Sequence, residues 1–154
     1  LGNIYFQQGK LEQALECYQK AVERDAEDID IRSHLGQCLL RLKRPEEARP
    51  LLEKVCAADP KHEYGHSLMA LAETYMALQD VEAAIQTWLR VLEQNGYARA
   101  RVQLAELYLA RQQQDLALFA LKEVLADDAA APDFQRARDR FWVRRAKKLL
   151  RAQK

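Results

Sequence analysis

Cysteine is scarce and poorly placed for cross-linking. Cys17, Cys38 and Cys56 are odd in number, and none is spaced as in a Cys-x-x-Cys site or the framework of a small secreted domain. A reducing compartment suits such thiols, so the expected location is the cytoplasm. Net charge is also nearly absent, at +1, so the chain as a whole offers no field for a polyanion, and nucleic acid is not an expected partner. No apolar run reaches the roughly 18–20 residues of a membrane span, and no charged-then-apolar start resembles a signal peptide. There is no glycine-rich phosphate loop, no nucleophile beside a base and no closed set of metal ligands. An enzyme, a metal and a cofactor are therefore not expected from this stretch.

What the chain does contain is internal repetition. Leu35-Gly36, Ala48, Leu52 and Val55 fall 34 residues after Leu1-Gly2, Ala14, Tyr18 and Ala21. Leu71-Ala72, Tyr75, Ala84, Trp88 and Val91 repeat the pattern 36 residues after Leu35, and Leu104-Ala105, Tyr108, Ala117, Leu121 and Val124 follow 33 residues after Leu71. Within each unit the apolar positions have helical spacing, and two helices are separated by a turn at Gly9-Lys10 or Lys43-Arg44-Pro45. Gly9 breaks the period where a tight turn is needed, and Pro45 suits the first turn of a helix, where a missing N–H costs nothing. Two extra residues fall in the linker around 61–65, and Asn95-Gly96 makes a shortened turn at the end of a helical stretch. Small residues at helix crossings (Ala14, Ala48, Ala84, Ala117) and large ones between hairpins (Tyr5, Tyr18, Tyr75, Trp88, Tyr108) complete the pattern.

Small, aromatic and proline positions at a 34-residue period resemble the tetratricopeptide repeat (TPR) family. The resemblance implies an all-α, right-handed superhelical solenoid of antiparallel helix hairpins. The expected repeats are about 1–28, 29–60, 65–98 and 99–131, forming an array over 1–132 that is followed by a basic amphipathic capping helix over 133–154. Leu1 falls at the seventh position of such a repeat, so the chain is expected to be a section of a longer polypeptide. The resemblance also implies a protein-interaction scaffold or adaptor, part of a larger assembly protein, that holds a peptide or partner protein against the first helix of each hairpin.

Carried over position by position, that surface comprises Asn3, Gln37, Arg41, His66, Met69, Glu73, Met76, Arg99 and Glu106, with Phe6, Asp30, Ser33, Val102 and Leu109 between them. Phe6 and Val102 read equally well as packing residues. The clamp by which some TPR proteins grip a chaperone's C-terminal carboxylate is not matched. Asn3 fits it, but His34, His66 and Ala70 replace its asparagine, lysine and arginine; one repeat later the positions hold Ser33, Gln37, Ala70, Arg99 and Gln103.

Three further features stand outside the repeat pattern. His62-Glu63-Tyr64-Gly65-His66 fits H-E-x-x-H, which ligates zinc when a helix puts both histidines on one face. Its place after Pro60, with Gly65 inside it, makes these solvated linker residues instead, His66 facing the groove. Cys38 and Cys56 align with apolar residues of the other repeats and read as core, while Cys17 reads as semi-exposed. Finally, residues 133–154 hold nine basic and two acidic side chains, leaving the body acidic. At 100° per residue, Phe134, Ala137, Phe141, Trp142, Ala146, Leu149 and Leu150 make a broad apolar arc opposite Arg136, Arg140, Arg144, Lys147 and Arg151. That helix reads first as a solenoid cap. The alternative is a membrane-associated assembly factor that lays this basic face on anionic lipid.

Overall fold

A computed structural model of the chain describes residues 1–153. Among them there are nine α-helices and no strand: α1 (Gly2–Gln7), α2 (Leu11–Arg24), α3 (Ile29–Arg41), α4 (Pro45–Ala58), α5 (His66–Ala77), α6 (Val81–Gln94), α7 (Ala98–Ala110), α8 (Gln114–Ala130) and α9 (Asp133–Ala152). A short 3-10 turn, His62–Gly65, precedes α5. No described helix is long and apolar enough to cross a bilayer.

Hairpins recur because one turn geometry recurs. Gly9, Lys43, Gln79 and Gln112 all have φ between 60° and 74°, in the left-handed region. Each donates its N–H three residues back, to Phe6, Leu40, Met76 and Leu109 at 3.0–3.1 Å. The following N–H of Lys10, Arg44, Asp80 and Gln113 reaches five residues back at 2.8–2.9 Å. This pair of bonds is the Schellman motif, which satisfies helix-end carbonyls and reverses the chain. Glycine supplies the conformation only at Gly9; elsewhere a long polar side chain is held where Cβ is disfavoured. Helix starts are less uniform. Asp28 caps α3 by accepting from the N–H groups of Asp30 (2.9 Å) and Ile31 (3.2 Å), whereas α4 opens with Pro45.

The chain forms two compact units, Leu1–Thr87 and Trp88 onward, with the boundary inside α6. In the first, α2 packs on α1 and α3, and α4 on α3 and α5. Ala14 and Ala48 are fully enclosed, and a Cβ on Gly36 would stand 2.7 Å from the Leu52 side chain, so α3 and α4 approach as closely as the backbone allows. Leu52 itself has no exposed surface, and Leu52→Ala would cost about 2–5 kcal/mol through lost transfer energy and a cavity.

In the second unit α9 packs on both α7 and α8. Val143 and Ala146 join Val102, Ala105, Ala117, Leu121 and Val124 in one buried cluster, with Trp142, Leu149 and Leu150 around it. The broad apolar arc expected of α9 is therefore split. Ala146, at 0% exposed, is buried as part of the arc and Val143, just outside it, is buried at 6%, while Phe134 and Phe141 within it are 73% and 64% exposed. A helix with neighbours on one side buries only the part of its circumference that faces them.

Candidate functional site

In the first unit the polar side chains of the first helices are tied into a row. Tyr18 of α2 donates its hydroxyl to Asn3 Oδ1 at 2.6 Å and stacks on His34 of α3, with centroids 5.7 Å apart. Burial, and then the neighbouring Cys38, Cys17 and Glu63, push the Tyr18 phenol up to about 12. His34 Nε2 lies 3.2 Å from Glu63 Oε1, and Gln37 Nε2 donates to the other Glu63 oxygen at 3.4 Å. One turn on, the exposed Arg41 guanidinium sits 4.5 Å from the centre of the Phe6 ring. Beside Asn3, Tyr18 and His34 a cavity of about 440 Å³ opens between α1, α2 and α3.

Beneath this row runs a buried relay. Gln37 Nε2 donates to Ser33 Oγ at 2.9 Å, Ser33 Oγ lies 2.7 Å from Ser67 Oγ, and Ser67 Oγ lies 2.6 Å from His62 Nδ1. His62 Nε2 meets Asp30 Oδ1 at 2.5 Å. A carboxylate only accepts, so Nε2 carries a proton toward Asp30. Ser33, Ser67 and His62 are all at most 6% exposed, so the relay links α3 to the start of α5. The expectation that His62 is solvated is thereby corrected. Glu63 and Tyr64 take left-handed φ values of 52° and 57°, and Gly65 takes 89°. These three turns fold His62 back under α3 and leave its side chain off any common helix face with His66. Nothing in the spacing of the string announced this. The signal is in three dimensions, where the insertion returns to a serine of α5.

The other expected contact residues fall into two groups. Met69 is 2% exposed and, like Ser33 and Val102, belongs to the packing, so it is corrected from a surface to a core residue. The reason is its position: it lies among Leu68, Ala70, Leu71 and Ala72, all buried, in a helix covered on more than one side. Phe6, by contrast, is half-exposed under Arg41. His66 is exposed, and Glu73 and Met76 are half-buried on α5. In the second unit Arg99 and Glu106 are half-buried on α7, and Glu106 is ion-paired with Arg145 of α9. Arg101 of α7 similarly pairs with Glu123 and Asp127 of α8. Pairing across helices that are far apart in sequence had no sequence signal.

The cysteines lie where expected. Cys38 and Cys56 are buried and Cys17 is half-exposed. Burial first, and then Glu12, raise the Cys38 thiol, which donates to the Leu11 carbonyl at 3.3 Å and is held in its unreactive form.

Two sequence profiles described as tetratricopeptide repeat match the chain, over residues 5–72 and 66–95. The chain belongs to the tetratricopeptide repeat family. Among solved structures it is similar to MamA from Desulfovibrio magneticus RS-1, with a TM-score of 0.80, 17% identity, and coverage of 86% of this chain and 74% of that one. YrrB, described as a TPR protein with an unusual peptide-binding site, aligns with a TM-score of 0.79 and 21% identity over 96% of this chain and 71% of its own. The fold class is thus the all-α TPR solenoid of helix hairpins. Among characterised sequences, RNA polymerase II-associated protein 3 is 30% identical in Homo sapiens and 26% in Xenopus tropicalis, each over 92 residues, or 60% of this chain. The matched stretch spans 14% of either relative. TPR proteins are, as a class, scaffolds for protein–protein interaction.

Proposed function

We propose that this TPR chain is the partner-binding section of a larger assembly protein, and that the first-helix face of its first unit takes an extended peptide segment. The observation that carries this reading is the row Asn3–Tyr18–His34–Glu63–Gln37, with Arg41 over Phe6 beside it. Cross-bracing holds these side chains in place before a ligand arrives, which lowers the ordering cost of binding. The row offers amide and carboxylate groups for a peptide backbone and a cation over an aromatic ring for one anchoring side chain. His66, Glu73 and Met76 extend the surface along α5, and Arg99 and Glu106 are its counterparts in the second unit. The similarity of fold to YrrB supports a peptide as the ligand class.

The test is selection from a displayed random-peptide library, followed by affinity measurement on the enriched sequences. Arg41→Glu is expected to weaken them about tenfold or more, equivalent to about 1.4 kcal/mol. Glu16→Lys, on the exposed side of α2, is expected to leave them unchanged. Enriched peptides that bind both variants as well as the parent would move the site off this face.

A further inference from the structure

The second unit carries another built surface, along the seam between α8 and α9. Arg136, Arg140, Arg144, Lys147 and Arg151 occupy a sector of roughly 80° on α9. The first four line a concavity of about 500 Å³ that Asp128 and Asp133 close at one end. Next to it, a concavity of about 540 Å³ has Leu118, Leu125 and Leu150 in its lining and Lys122, Lys147 and Arg151 around them. Lys147 borders both, so the two form one furrow. From Arg136 to Arg151 it runs about 22 Å along α9, or about four helical turns.

Its cross-section separates two chemistries. The leucines are half-buried and Val143, in the first concavity, is 6% exposed, whereas all the cations named are exposed. An apolar floor below cationic walls fits an amphipathic helix whose leucine-type side chains point down and whose carboxylates flank them. A bilayer plane would first meet what protrudes, namely Phe134 and Phe141 on a separate ridge of α9, and not a recessed floor. A nucleic-acid backbone would use the cations and leave the leucines unmatched.

We propose that the α8–α9 furrow is a docking site for an acidic amphipathic helix of a partner protein. It lies wholly within the second unit and does not depend on the peptide site of the first. The test uses the full chain and a fluorescent designed helix of about 18 residues, with leucines at i, i+3, i+4 and i+7 and glutamates on both flanks. A second peptide of the same composition has its leucines scattered around the helix. Vesicles of phosphatidylcholine with and without phosphatidylglycerol form a third arm.

The amphipathic peptide is expected to bind, to weaken with added salt, and to bind about tenfold or more tightly than the scattered one. Lys147→Glu with Arg151→Glu is expected to weaken it about tenfold or more, and Phe134→Ser with Phe141→Ser to leave it unchanged. Lys122→Glu, on the α8 wall, serves as an independent variant if the double reversal perturbs folding as judged by circular dichroism. Equal binding of the two peptides, or binding of neither, overturns the proposal. So does binding to phosphatidylglycerol vesicles that is lost in the phenylalanine variant while the amphipathic peptide stays unbound, which would make α9 a membrane contact.

Discussion

Gln112→Gly should stabilise the chain, although the same replacement in a helix should do the opposite. Gln112 and Gln79 sit at φ 60° and 61° in the hairpin turns, and both side chains are exposed. Their structural work is done by backbone groups. Gln112 N–H reaches Leu109 at 3.0 Å and Gln113 N–H reaches Tyr108 at 2.8 Å; glycine would keep both bonds. A Cβ in this conformation costs roughly 1–2 kcal/mol, and the extra freedom of glycine in the unfolded chain returns roughly 0.5–1 kcal/mol of that gain. The net is about 0.5–1 kcal/mol of added stability for Gln112→Gly, and the same for Gln79→Gly. At Gln19, exposed in the middle of α2, glycine relieves no strain and should cost about 0.5–1 kcal/mol. Urea titrations read the three variants against the parent, with the midpoint moving and the slope constant. Separate transitions for the two units would assign Gln112→Gly to the later one and Gln79→Gly to the earlier. Midpoints that fall for all three variants alike would refute the claim that strain is stored in these turns.

Two further outcomes follow from the first unit. His62→Ala should destabilise it by about 2–3 kcal/mol, since it removes the 2.5 and 2.6 Å bonds and leaves Ser67 one partner short away from water; a loss below about 0.5 kcal/mol by urea titration would show that the relay is not holding α3 to α5. Tyr18 and Tyr75 both have phenols pushed up to about 12, through burial in each case and, for Tyr75, the bond it donates to Glu53 at 2.8 Å. Because the folded values lie above the ordinary 10, this stability is complete below pH 10 and is lost as pH rises from 10 through 12, by about 2 kcal/mol for the enclosed Tyr18. Tyrosinate absorbance followed alongside urea titration at stepped pH checks the sign, and Tyr18→Phe should flatten the decline.

The repeat pattern made the fold legible because it is redundant. Ala14, Ala48, Ala84 and Ala117 recur at the crossing position and all four are fully enclosed, so each repeat checks the others. Legibility fell where a residue has no counterpart. The linker string from His62 to Gly65 has no equivalent in the other repeats, and its handedness, set by three consecutive positive φ values, cannot be read from spacing. The α9 helix has no repeat partner either, so periodicity marked its apolar residues without deciding which side its neighbours would cover. At the candidate site, helical spacing puts Gln37 and Arg41 one turn apart on α3. It could not separate Met69, enclosed by its neighbours, from Met76, which stands at the partly open end of the same helix.

The positive-φ turn before α5 carries a lesson about length. Two additional residues enter the third repeat, yet its hairpin turn at Gln79 closes with the same two bonds as the other three. The surplus is spooled into the junction, where Tyr64 stands 83% exposed and His62 pins the other end. Hairpins in such a chain behave as interchangeable cartridges and the junctions as adjustable spacers. Growth by insertion, whether by evolution or by an engineer grafting a loop after Tyr64, has a berth there that leaves the cartridges untouched.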